Sequence, residues 1–225
     1  FPFVSKVTKF NFIELATEIM LGKKVRPYRK NFADIDYVGV KSSQFSFARL
    51  LHSDPVHGVD MASTGEVACL GDTYHEALLK SMLSVGYTIP SKERGILVSS
   101  GAAHSKVDLL DACRMLHDSG YNIYATGGTA EFLKQHGIPS TVLHWPDTGR
   151  QPCVTDYISG HKVDLVINIP KNFTARELQN GFAIRRTAVD HNVPLITNAR
   201  LASAFIYSLC KVGVDKLIIR SWNEY

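Results

Sequence analysis

Gly127 and Gly128, flanked by Thr126 and Thr129, are the residues of this chain best suited to hold an anion. The apolar stretch Tyr121–Ala125 before them reads as a strand, and the amphipathic stretch Ala130–Gln135 after them reads as a helix. A strand that runs into a helix through small residues exposes backbone N–H groups at the positive end of that helix, where negative charge is favoured. Thr126 and Thr129 either add two hydroxyl donors or cap the helix. The glycines between them let a ligand approach the backbone. No acid or base stands beside this run, so its chemistry is binding of phosphate or carboxylate.

Other polar residues fall where they can join such a cradle. Lys106, in the first turn of a helix expected over 105–118, is either an exposed lysine or a point charge for phosphate. Trp145, after a strand expected over 140–143, either lids the core or stacks on a ring or acyl group. Asn168, near the end of the strand 163–169, places an amide where it can read a small molecule. Lys171 and Asn180 follow in the next loop and helix, where a solvated place is the ordinary one. Arg185 and Arg186, on that helix, read as ion-pairing groups with no ligand role. Asp108, Asp111, Asp118 and Asp190 lie on helices rather than at strand ends and read as solvated carboxylates. In the run Ala62-Ser63-Thr64-Gly65-Glu66-Val67, Glu66 is either a turn residue facing water or a buried carboxylate.

The elements that must position these residues alternate. Strands at 95–99, 121–125, 140–143, 163–169 and 194–197 interleave with helices at 105–118, 130–135, 176–190 and 201–211. Five strands in this rhythm predict a parallel sheet covered by helices on both faces, with ligands beyond the carboxyl ends of the strands. Thr126, Asn168 and Asn198 lie at such ends. Residues 1–86 read differently, as α+β: a helix capped by Asn11 and Glu14 and ended by Gly22, a basic run over 23–35, strands at 37–41, 59–61 and 66–70, and a helix from Thr73 to Leu83. Residues 87–94 read as a connection, and 95–225 as the second domain.

Length, 225 residues, allows one large domain or two moderate ones, and a net charge of +4 is too small to argue for nucleic acid. No apolar run approaches the ~20 residues that span a bilayer. The nine histidines form no H-E-x-x-H or H-x-H pair, and no G-x-S-x-G elbow occurs. The four cysteines form no C-x-x-C pair, which argues against zinc and for reduced thiols. Phe1 begins a run that reads like the middle of a folded segment, so a piece of a longer polypeptide is expected.

Three runs carry a family resemblance: Phe1-Pro2-Phe3-Val4-Ser5-Lys6, Met61-Ala62-Ser63-Thr64-Gly65-Glu66-Val67 and Ile184-Arg185-Arg186-Thr187-Ala188-Val189-Asp190. Together they resemble the carboxyl-terminal end of the large chain of carbamoyl phosphate synthetase. Gln44-Phe45-Ser46-Phe47 and Arg220-Ser221-Trp222 are closer to members of eukaryotic type. The resemblance implies an α/β fold: a five-stranded parallel sheet like that of methylglyoxal synthase, preceded by the α+β tail of an ATP-grasp unit. It implies a parent ligase using ATP and Mg or Mn, with neither bound by this chain itself and no catalytic residue within it. Glu66 would line the carbamate tunnel. The second domain would bind an anionic effector. Lys106, Thr126, Thr129 and Asn168 resemble the family's nucleotide-binding pattern, with Gly127 and Gly128 as the phosphate turn. Trp145, Asn168 and Asn180 resemble its N-acetylglutamate pattern, from which Lys171 departs. A uridine nucleotide is the expected effector, with N-acetylglutamate the alternative. A free-standing triose phosphate lyase is the third reading. Expected partners are the rest of the large chain, a glutaminase subunit or domain and a possible second copy, with no nucleic acid or membrane. The expected location is the cytoplasm, or the mitochondrion for an ammonia-dependent type.

Overall fold

The computed structural model describes residues 2–27, 31–56, 65–170 and 174–225. It opens with two helices, α1 (Pro2–Thr8) and α2 (Phe12–Met20). Asn11 caps α2 by accepting from Glu14 N at 3.1 Å, and Gly22 beyond its end has φ +71°. Strands β1 (Val38–Gln44) and β2 (Gly65–Gly71) pair antiparallel, Val38 opposite Gly71 through Gln44 opposite Gly65. The strand expected at Val59–Met61 lies outside the described residues. Helix α3 (Tyr74–Ser84) starts at Thr73, whose side chain accepts from Glu76 N.

The second region is built on β3 (Ile96–Ser100), β4 (Ile123–Thr126), β5 (Thr141–Leu143), β6 (Leu165–Ile169) and β7 (Leu195–Ile196). These form one sheet in the order β5-β4-β3-β6-β7, with every pairing parallel. The expected fold class therefore stands. Between the strands run α4 (Ala103–Asp118), α5 (Gly127–Gln135), α6 (Val154–Ser159), α7 (Ala175–Asp190) and α8 (Ala199–Tyr207). Every residue of β3 and β6 is buried, as continuous apolar strands covered on both faces must be. Side-chain alternation splits the core. Ile96 and Val98 pack with α4 and α8 on one face, and Leu97 packs with Ile158, Val166 and Ile184 on the other. Gly95 leads into β3 at φ +111°, where a Cβ would lie 2.4 Å from the Asn122 carbonyl oxygen. Only glycine fits that crossing.

Several details depart from the sequence reading. Short helices α1 and α6 were not foreseen. The helix expected over 201–211 is α8 followed by a π-helical turn at 208–212. The stretch 87–94 packs onto the body of the molecule: Tyr87 and Ile89 touch the core, and Tyr87 Oη donates to Leu195 O at 2.5 Å. Leu78, Leu79 and Met82 of α3 belong to the same apolar cluster as Ile96 and Val98. The final residues, counted with the second region by sequence, pack on the first. Arg220 holds Asp72 through two bonds of 2.8 and 3.0 Å, and Trp222 Nε1 donates to Lys6 O at 2.8 Å.

Candidate anion-binding site

The order of the sheet reverses at β3, where the next strand, β6, adds on the side opposite β4. Crossovers on the two sides of that point leave the sheet in opposite directions, so a crevice opens beyond the strand ends. A cavity of about 190 Å³ lies there. Lys106, Thr126, Gly128, Thr129, Trp145 and Asn168 all line it, as expected from their positions in the sequence. Gly127 instead faces an adjoining hollow of about 250 Å³, shared with His144 and Thr148 and separated by Trp145 and Gly128, which line both.

Gly127 and Gly128 form the first turn of α5 rather than a turn before it. Thr126 occupies the cap position but makes no side-chain cap bond. Lys106 Nζ donates to Gly128 O at 2.8 Å, setting a cation beside those amides. Neither glycine has positive φ, so the backbone angle does not require them. A Cβ at Gly127 would meet nothing within 4 Å, and one at Gly128 would approach Lys106 Nζ at 3.6 Å.

The two threonines play a different part from the one expected. Thr129 Oγ1 accepts from Ser100 N and donates to Ser100 O, both at 3.0 Å, which ties α5 to the end of β3. Thr126 Oγ1 donates to Ser99 Oγ at 3.1 Å. Their hydroxyls build the floor of the site. Ser100 Oγ, beside them, is the one buried side-chain polar atom among the described residues with no hydrogen-bond partner. Ser100 is one of the residues that line the cavity.

Asn168 is buried, and its Oδ1 accepts from Arg185 Nη1 at 2.8 Å. Arg185, passed over in the sequence reading, lines the cavity and is 2% exposed. A signal for it exists one helical turn back, at Gly181, where a Cβ would stand 2.8 Å from Arg185 Nη1. The glycine lets the guanidinium lie along α7. Ser99, Ser100 and Glu177 also line the cavity and were not singled out; only the spacing of strand ends could have found them.

Asn180 is buried but does not line the cavity. Its Oδ1 accepts from Asp147 N at 3.3 Å, and its Nδ2 donates to Arg176 O at 3.0 Å. It fastens the Trp145 loop to α7. The Arg176 guanidinium lies 5.5 Å from the Trp145 ring centroid and donates to Asp147 at 2.5 Å, holding that carboxyl below the usual carboxylate range. Lys171 lies outside the described residues. Asn198 caps α8 by accepting from Leu201 N at 3.0 Å, away from the cavity. Asp108, Asp111, Asp118 and Asp190 are exposed. Glu66 is a surface carboxylate in this chain, paired with Lys41 across the β1–β2 ladder, rather than a buried one.

Residues 108–197 match the family model of the MGS-like domain. The chain is 42% identical over 227 residues to the multifunctional protein CAD of Squalus acanthias, covering 95% of this chain and 10% of that protein. It is 41% identical over 220 residues to the multifunctional protein URA2 of Saccharomyces cerevisiae, covering 94% and 10%. It is 38% identical over 235 residues to the mitochondrial ammonia-type carbamoyl-phosphate synthase of Homo sapiens, covering 100% and 15%. The chain thus spans between a tenth and a sixth of the length of these relatives. Among solved structures, a methylglyoxal synthase from Elizabethkingia anophelis superimposes with a TM-score of 0.39 at 18% identity, over 55% of this chain and 83% of that one. The chain therefore carries an MGS-like domain and belongs, with these relatives, to the eukaryotic carbamoyl phosphate synthetase group.

Proposed function

We propose that this chain is the effector-binding, regulatory end of a carbamoyl phosphate synthetase, and that its effector is a uridine nucleotide. One observation carries the reading: Lys106 Nζ and the uncapped first turn of α5 converge on a cavity that also holds the orphan Ser100 hydroxyl. Amide N–H groups and an ammonium together favour a phosphate. The cavity's lining contains one carboxylate among the described residues, Glu177, and no aspartate, which favours effector binding over a triose phosphate lyase. In this reading residues 1–86 end an ATP-grasp unit. The parent ligase makes carbamoyl phosphate from ATP, bicarbonate and glutamine-derived or free ammonia, with Mg or Mn. Its partners are the remainder of the large chain and a glutaminase. The cytoplasm is its place in the pyrimidine pathway.

A second reading is N-acetylglutamate in a mitochondrial enzyme, with Trp145 on the cavity wall available to its acyl chain. Against it, both ends of the Asn180 amide are already bonded within the protein. Calorimetric titration of UMP, UDP, UTP and N-acetylglutamate separates the two. Replacing Lys106 by Ala is expected to weaken nucleotide binding by about 1.5–3 kcal/mol and to weaken N-acetylglutamate less. Heat with N-acetylglutamate alone would reverse the assignment.

A further inference from the structure

The two arginines of α7 face in different directions with one consequence. Arg186 donates to the carbonyls of Phe47, Leu50 and Ser53 at 3.1, 3.1 and 3.3 Å, so it grips the loop that follows β1. Arg185 divides its guanidinium. Nη1 turns to Asn168 in the cavity, while Nε and Nη2 make a two-point pair with the carboxylate of Asp54, on that same loop, at 2.6 and 2.5 Å. The guanidinium is buried, whereas Asp54's side chain keeps 40% of its exposure. One cation thus joins the loop to the cavity wall. The carboxylate of Asp54 draws on it from the loop, and the Asn168 amide holds it in the cavity wall.

We propose that Asp54 is a positioning residue of the anion site: it holds Arg185 toward the 45–56 loop, and a bound anion competes with it for the guanidinium. The inference rests on the effector reading above and adds its coupling to the first region. Coupling of this kind is reciprocal, so whatever frees Arg185 from Asp54 must tighten the anion, and the anion must loosen the loop by the same factor.

The test uses the whole chain, with UTP, N-acetylglutamate and inorganic phosphate as probes. Asp54→Asn keeps the shape of a surface side chain and removes its charge. Calorimetry should show the Kd of the probe that binds falling by about fivefold or more. Hydrogen exchange in residues 45–56 should speed up when that probe saturates the wild type, and should no longer respond to it in Asp54→Asn. In an Arg185→Lys background, Asp54→Asn should change Kd by less than about twofold, because the two-point pair is already lost. Unchanged or weaker binding by Asp54→Asn, or a loop that becomes more protected with ligand, overturns the proposal while leaving the effector site intact. Absence of binding by the wild type with every probe removes the site itself, and the coupling with it.

Discussion

In the parallel sheet, β3 and β6 have every residue buried; in α2 no residue is buried, and Met20 is 86% exposed. The second region carries its own core on both faces of a covered sheet. The first shows apolar Ile13, Ile19, Met20 and Leu21 to solvent and draws its order from elsewhere. Its α3 leans on the second region's core, its 45–56 loop hangs from Arg186, and its Asp72 is held by Arg220. A fully buried aliphatic side chain contributes about 1.5–3 kcal/mol, so the region with more of them should melt last. The site sits on the stable half, and its one ion-paired strap reaches to the other.

The strongest way to break this contrast is Gly95→Ala. At φ +111°, with 2.4 Å to a backbone oxygen, the methyl forces β3 and β4 apart. A loss of at least about 2 kcal/mol is expected, read as a lower Tm of the whole chain and lost anion uptake. A melting curve within a degree or so of the wild type would mean that the central strands tolerate displacement.

Arg186→Ala should act on the first region alone. It strips the loop carbonyls of their donors, at a cost of about 1–3 kcal/mol, and should speed proteolysis within 45–56 while β3–β6 amides keep their protection. Its partner Asp190 sharpens the point through pH. The Arg186 guanidinium holds the Asp190 carboxyl below its ordinary value. A depressed folded value means that the pair's stabilisation is complete above the unfolded pKa and disappears as pH falls through the folded one. Asp190→Asn should therefore be less stable than wild type at pH 7 by under about 1 kcal/mol, because Asp190 is exposed, and the difference should begin to shrink as pH falls below about 4 and vanish below the folded value. Parallel curves across that range would detach Asp190 from the clamp.

Much of the covered sheet was legible because buried strands write themselves as apolar runs: Leu165–Ile169 could hardly be anything else. The cavity's position was legible too, since Thr126 and Asn168 fall near the carboxyl ends of strands, and in a parallel sheet those ends share one edge. Arg185 was not, because its meaning lies in a carboxylate 131 residues away. Thr126 and Thr129 were placed on the cavity wall, but their bonds to Ser99 and Ser100 were not foreseen. Nothing local says that the end of β3 comes within 3.1 Å of their hydroxyls. Asn180 looked like a ligand amide, but the turn of helix before it offers the Arg176 carbonyl first. Helix α6 has six residues, too few for a periodicity to show.

The smallest effect tests the same contrast by chemistry. Burial lifts the Cys113 thiol to about 12, while Cys69 of the first region is partly exposed. A thiol reagent under native conditions should label Cys69 well before Cys113, and equal rates would show that the second region opens as readily as the first.

The start of α5, where Thr126 makes no side-chain cap bond, has an evolutionary consequence. On the binding proposed above, a guest would be greeted there chiefly by peptide nitrogens, which every residue but proline possesses. Homologues can therefore exchange the letters around such a berth and keep its appetite for phosphate, or keep the letters and lose it when a neighbouring side chain swings in. Effector preference among these enzymes should follow the few charges at the rim, Lys106 and Arg185 foremost, more faithfully than it follows overall identity.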